Sequence, residues 1–105
     1  MPRNNRLTKE EIEEVLSKGR RSNFSLFSVS WLPNTEKTTK FAFVVSKKQY
    51  KQAVLRNKAK RRLRECARKT HFGPGKYIFF AKNTINEAIF SDLKKEVEKA
   101  GVELK

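Results

Sequence analysis

"AVLRNKAKRRLREC", residues 53–66, carries six Lys and Arg against one Glu, yet its apolar residues recur at helical spacing. With Leu55 set at zero on a helical wheel, Leu55, Ala59, Leu63, Cys66 and Ala67 fall within about 120° of arc. Asn57, Lys60, Arg61, Arg64 and Arg68 gather at about 140–240°, nearly opposite. Arg56 sits at the rim, while Lys58, Arg62 and Lys69 occupy the other flank beside Glu65. The period predicts a helix from about Gln52 to Lys69 that docks by one side and presents cations on the other.

The segments on either side of this helix set its surroundings. "FSLFSVSWL" (24–32) alternates, with Phe27, Val29 and Trp31 on one face and Ser28 and Ser30 on the other, as a strand requires. "FAFVVS" (41–46) is more continuously apolar and reads as a central strand covered on both faces. The turn-rich "PNTEKTT" (33–39) joins these two, so they read as an antiparallel hairpin. After the basic helix, "FGPG" (72–75) breaks the chain and "KYIFFAK" (76–82) is a third strand.

Two helices lie outside this block. In "LTKEEIEEVLSKG" (7–19), Thr8 and Glu11 have capping-box spacing, and Leu7 and Ile12 fit a hydrophobic staple. Ile12, Val15 and Leu16 form its apolar stripe, with Gly19 as its stop. "SDLKKEVEKAG" (91–101) is the last helix, with Ser91 as N-cap candidate and Gly101 as stop. "NTINEAIF" (83–90) fits neither period, and residues 20–25 have room for a short extra strand. The order α-β-β-(β)-α-β-α predicts one α+β domain spanning residues 1–105, built as a two-layer α/β sandwich.

The 105-residue chain holds 25 Lys and Arg against 11 Asp and Glu, a net charge of +14. Eight Phe, one Trp and two Tyr supply core material that a disordered polyelectrolyte would lack. So large a charge resists compaction and points to a polyanionic partner. From Lys47 to Lys69 there are eleven basic residues and only Glu65 as an acid, whereas residues 70–105 carry six and five. The excess is focused on one element, which favours a binding face over general solubility. Lys60, Arg64 and Arg68 repeat every four residues, about 6 Å apart along a helix, comparable with successive phosphates on a strand.

Arg offers forked donors for phosphate and a plane that stacks on bases, and Asn57 can read a base edge or a 2′-OH. In "SKKQYK" (46–51), Lys47 and Lys48 extend the same surface. Tyr50 either stacks on a base or lies over the core edge, the second being the preferred reading.

Protein-based catalysis finds little support. The one His, His71, precedes a Gly-Pro-Gly break without an obvious partner, and the acids sit mainly on the two outer helices. The lone Cys66 falls on the apolar side of the basic helix and rules out an intramolecular disulfide or a multi-Cys metal site. No apolar run reaches membrane-spanning length and no signal region follows the first residues, so a cytoplasmic protein is expected.

"FVVSKK" followed by "AVLRNKAKRRLRE" resembles the signature of the bacterial ribonuclease P protein component, an S-K-K stretch and then A-V-x-R-N-R-x-K-R-x-x-R on a helix. "NRLTKEEIEEVLSKG" and "YIFFAK" extend the resemblance over roughly residues 5–100. It implies a left-handed β-α-β crossover containing the basic helix, where general topology favours the right-handed form. It also implies a ribonucleoprotein in which an RNA subunit, using Mg²⁺, removes the 5′ leader of precursor tRNA while the protein assists by binding. The expected partners are ribonuclease P RNA and precursor tRNA, with no membrane, and with the protein alone a monomer. Mg²⁺ is expected on the RNA, and none on the protein alone.

Carried over by position, Lys47, Lys48, Arg56, Asn57, Lys58, Lys60, Arg61 and Arg64 match the family's RNA-binding motif, and Arg68 joins them from the wheel. Ile12, Leu16, Ser28 and Ser30 match a cleft between the first helix and one sheet face that holds the leader. Lys58 replaces the usual second Arg of R-N-R, keeping charge but losing the fork. Ile12, Leu16 and Ser30 stand where aromatics are common, and each base stack on an aromatic is worth about 1–3 kcal/mol. Weaker or differently organised leader contacts are therefore expected. Without the resemblance, a ribosomal or RNA-assembly protein remains open. A major-groove DNA reader is disfavoured, because a strand and a Lys-rich turn precede the helix where a helix-turn-helix would need a helix.

Overall fold

In a computed structural model describing residues 6–33 and 38–103, the chain forms α1 (Lys9–Lys18), β1 (Arg20–Asn23), β2 (Phe27–Pro33), β3 (Thr39–Val44), α2 (Ala53–Lys69), β4 (Gly75–Ala81) and α3 (Phe90–Glu103). The connection at 34–37 lies outside the described residues, as do residues 1–5. The four strands make one sheet in the order β1-β2-β4-β3. β1 pairs antiparallel with β2, and β2 with β4, while β3 runs parallel to β4.

This corrects the hairpin expected for β2 and β3: they do not pair, because β4 lies between them. It also moves the central position from β3 to β4. The reason lies in the side chains. β4 is apolar on both faces, burying Tyr77 and Phe79 on one and Ile78 on the other, whereas β3 leaves Val44 exposed. As an edge strand, β3 meets the N-terminal segment instead, with Arg6 bridging to Phe41 and the Leu7 N–H donating to the Phe41 carbonyl at 3.2 Å.

The register sorts the sheet into two faces. Phe27 and Val29 of β2, Phe41 of β3, and Tyr77 and Phe79 of β4 join Ala59, Leu63, Cys66 and Ala67 of α2 and Leu93, Val97 and Ala100 of α3 in one core. The aromatic rings interlock, with centroids 5.6 Å apart for Phe41–Tyr77 and Phe43–Phe79 and 5.0 Å for Phe72–Tyr77. Burying each such side chain contributes about 1.5–3 kcal/mol. α2 is the crossover between the parallel neighbours β3 and β4. The opposite face carries Ser28, Ser30, Ile78, Phe80, Lys40 and Lys76, and α1 covers part of it by burying Val15 completely. The two-layer expectation describes the main core, and α1 adds a partial third layer.

α1 is capped as the spacing predicts: the Glu11 N–H donates to Thr8 Oγ1 at 3.2 Å, and the Thr8 N–H donates to Glu11 Oε1 at 3.0 Å. Its acids also clamp it to the sheet. Lys40 pairs with Glu11 at 3.0 Å, and Lys76 pairs with Glu11 at 3.6 Å and Glu14 at 2.8 Å. Gly19 follows the helix, but its backbone is extended (φ −78°), so a left-handed stop is not its reason. A Cβ there would lie 2.5 Å from the Val15 carbonyl oxygen and 2.6 Å from that of Trp31, so close backbone approach demands glycine.

α3 starts one residue earlier and ends two residues later than the 91–101 reading. Ser91 and Gly101 are inside it, and Gly101 is buried where a Cβ would come within 2.9 Å of the His71 carbonyl oxygen. Residues 83–87 form turns, fastened to α2 by Arg62, which donates to the Ile85 carbonyl at 2.9 Å and to that of Ala88.

Candidate nucleic-acid interface

The wheel of α2 translates directly into burial. Ala59, Leu63, Cys66 and Ala67 are buried, while Asn57, Lys58, Arg61 and Arg68 are exposed and Lys60 is half-buried. Leu55 departs from the expectation by keeping 39% of its surface exposed, so the anchoring stripe begins at Ala59. None of the ion pairs among the described residues involves a cation of α2 or of the 46–51 turn; they engage Lys40, Lys76, Lys94 and Lys99. The strip is therefore a surface of uncompensated positive charge, for which a polyanion is the natural counterpart.

Three arginines of the helix have structural partners that the wheel does not show. Arg56 donates through Nη1 to the Tyr50 carbonyl at 2.8 Å and the Lys51 carbonyl at 3.0 Å, clasping the chain that enters the helix. Arg62 holds the 83–88 turns. Arg64 is half-buried, its guanidinium carbon 5.9 Å from the Phe43 ring centroid, so it lies over the edge of the core. Lys47 and Lys48 stand exposed in the turn before α2.

Tyr50 is a core ring and does not offer a stacking face: it is buried, and its hydroxyl donates to the Lys82 carbonyl at 2.8 Å. Burial raises its pKa, and burial likewise pushes the Cys66 thiol up. His71 is exposed. Among the described residues no three His, Cys, Asp or Glu are grouped so as to hold a metal ion.

The expected cleft residues separate. Ile12 is half-buried on α1, Leu16 is exposed, and Ser28 and Ser30 are buried in the sheet. α1 is clamped near Lys40 and Lys76, at the start of β3 and β4, which leaves the other end of this face open. There the surface sinks into a depression of about 280 Å³, lined by Arg21, Ser28, Val44, Ser46, Gln49 and Phe80 among others. Ser28 belongs to it; Ile12, Leu16 and Ser30 do not line it.

Phe80 is the residue that sequence reasoning missed. It pairs with Ser28 in register, so extending the β2 alternation to β4 puts an aromatic on the same face as the two serines. Ser46 and Gln49 make the depression continuous with the turn that carries Lys47 and Lys48, and so with the start of α2.

A family model described as Ribonuclease P matches residues 1–105. The chain belongs to the ribonuclease P family. Its similarity to curated members of the ribonuclease P family is substantial: 42% identity over 85 residues with the ribonuclease P protein component of Thermus aquaticus, covering 81% of this chain and 51% of that one. With the same component of Dehalococcoides mccartyi it is 43% identical over 81 residues, covering 76% and 67%. The chain spans about half the length of the Thermus relatives.

Solved structures of ribonuclease P proteins share the fold. A Staphylococcus aureus RNase P protein mutant described as defective in mRNA degradation aligns with a TM-score of 0.80 at 27% identity, covering 91% of this chain and 84% of that one. The Thermotoga maritima protein aligns at 0.84 with 17% identity, covering 95% and 97%, a likeness of fold alone.

Proposed function

We propose that this chain is the RNA-binding subunit of a ribonuclease P ribonucleoprotein, acting as a monomer in the cytoplasm to assist endonucleolytic 5′ maturation of precursor tRNA. The observation that carries the reading is the uncompensated cationic strip of α2, continuous through the 46–51 turn with an open depression on the sheet. In this reading Lys47, Lys48, Arg56, Asn57, Lys58, Lys60, Arg61, Arg64 and Arg68 contact ribonuclease P RNA, chiefly through phosphates. The sheet face beside α1, with Ser28, Ser30 and Phe80 on it and Ile12 and Leu16 on the adjoining helix, takes the single-stranded leader.

In this reading Mg²⁺ held by the RNA would supply the hydrolytic chemistry. Glu11 and Glu14, which reach this face from α1, are already committed to Lys40 and Lys76, which favours that assignment. No helix among the described residues is long and apolar enough to cross a membrane.

The test is reconstitution. Added to a cognate bacterial ribonuclease P RNA at low Mg²⁺, the protein should stimulate cleavage of precursor tRNA; no stimulation refutes the reading. For the strip, Arg68→Ala is cleaner than a change at Arg64, which also covers Phe43. It should lower the salt dependence of RNA affinity by about one phosphate contact, a slope change of about 1. An unchanged slope in a folded variant removes Arg68 from the interface.

A further inference from the structure

The sheet face that α1 leaves open carries a cation fixed over an aromatic ring. The Arg21 guanidinium carbon lies 5.0 Å from the Phe80 ring centroid, and Nη2 donates to Ser28 Oγ at 3.0 Å. Ser28 is only 3% exposed, so the hydroxyl that holds the guanidinium is itself held by the sheet. The register explains the reach: Arg21 is opposite Ser30 on β1, one diagonal step from Ser28, whose other neighbour is Phe80.

An arginine on an edge strand ordinarily keeps much of its rotamer freedom. Here a ring on one side and a hydroxyl at one edge remove much of it. Among the described residues no carboxylate pairs with Arg21, although Lys40 and Lys76 on the same face are both paired. Its other donors and its second plane are left for a ligand.

The depression around it, about 280 Å³, is close to the lower end of small-molecule sites, about 300 Å³, and suits one planar group. Its lining is cationic, amide-bearing and aromatic: Arg21, Asn23, Gln49 and Phe80, with no acid among them. Asn and Gln side chains each carry a donor and an acceptor, as the edge of a base requires. A guanidinium plane stacks on bases much as an aromatic does and adds attraction for the adjoining phosphate.

We propose that Arg21 and Phe80 form a two-tier stacking shelf for one unpaired nucleobase of the precursor tRNA leader. The shelf lies on the open part of the sheet face, apart from Ile12, Leu16 and Ser30, which do not line the depression. The proposal rests on the ribonuclease P reading and adds to it a specificity-determining residue on β1. Because the upper tier is a cation, leader recognition here combines stacking with phosphate attraction at a single side chain.

The test uses holoenzyme reconstituted with cognate ribonuclease P RNA, and compares affinity for a precursor tRNA with affinity for the same tRNA without its leader. Failure of the unaltered protein to stimulate cleavage at all would overturn the parent reading before any variant is made. Given stimulation, Arg21→Ala should reduce the ratio of leadered to leaderless affinity by about 5- to 100-fold. Arg21→Lys, which keeps the charge but loses the plane, should fall with it. A lysine variant matching the unaltered protein would overturn the shelf in favour of simple charge, and an unchanged ratio in Arg21→Ala would overturn it outright.

Abasic substitutions walked along the leader should identify one position whose loss equals that of Arg21→Ala and adds nothing to it. Absence of any such coupled position also refutes the proposal. Arg21 is exposed on an edge strand, and thermal melts of each variant confirm that the fold is kept.

Discussion

The clamp on α1 predicts an acid-dependent stability that one substitution should remove. Glu11 accepts the Thr8 N–H and pairs with Lys40, and these contacts bring its pKa from 4.5 down to about 2 against the opposing effect of burial, the Thr8 backbone bond being the largest cause. A carboxyl whose folded pKa is depressed contributes stability fully above its unfolded pKa and loses it as pH falls through the folded value. The window is therefore about pH 5 to pH 2.

A fall of that size corresponds to an upper bound of about 3 kcal/mol. Two effects reduce it. The side chain is 17% exposed, so solvent screens the ion pairs, and glutamine in its place still serves the capping box. Glu11→Gln should then cost about 1–2 kcal/mol at pH 7, or about 5–10 °C in melting temperature for a chain of this size. Thermal melts followed by circular dichroism from pH 7 to pH 2 should show the two proteins converging as Glu11 protonates. A variant within experimental error of the parent at pH 7, or a gap that stays constant down to pH 2, refutes the clamp. Glu14, held low by Lys76, titrates in the same direction in both proteins and so does not create the difference.

Other expectations follow from single contacts. Gly19→Ala should destabilise by about 1–3 kcal/mol in urea titrations, because the new methyl meets two backbone oxygens that cannot swing aside. Arg62→Ala should cost about 2 kcal/mol and speed amide exchange across residues 83–88, since two carbonyls lose a charged donor; unchanged exchange there would assign Arg62 to the RNA surface alone. Cys66 should resist thiol reagents at pH 8 until denaturant is added, being buried with a raised pKa; rapid labelling of the native protein would contradict its place in the core.

The parts of the molecule legible in the chain are those governed by short-range periodicity. The two-sidedness of α2, the capping box at Thr8 and Glu11, and the alternation of β2 all survive in the structure. What periodicity cannot report is which strand becomes whose neighbour. β3 and β4 are both apolar runs, and consecutive strands pair more often than not, so the sequence favours pairing β2 with β3. Leu55 has the right angle on the wheel, but the wheel carries no information on where the core ends.

Arg56, Arg62 and Arg64 look like any other cations in a charge run, and only tertiary structure reveals the carbonyls and the ring they meet. Phe80 follows the same alternation in β4 that places Ser28 in β2.

The insertion of β4 between β2 and β3 has a bearing on how the protein is made. A nascent chain that has emerged as far as β3 holds two strands whose inner edges are meant for a partner still to be synthesised, and α2 must form and cross before that partner arrives. Completing the sheet requires β4 to pair with both β2 and β3, and non-local pairings of this kind are intrinsically slow. Until it closes, two open strand edges are available to wrong neighbours. The helix proposed to grip RNA is thus also the connection that delivers the last strand to the sheet.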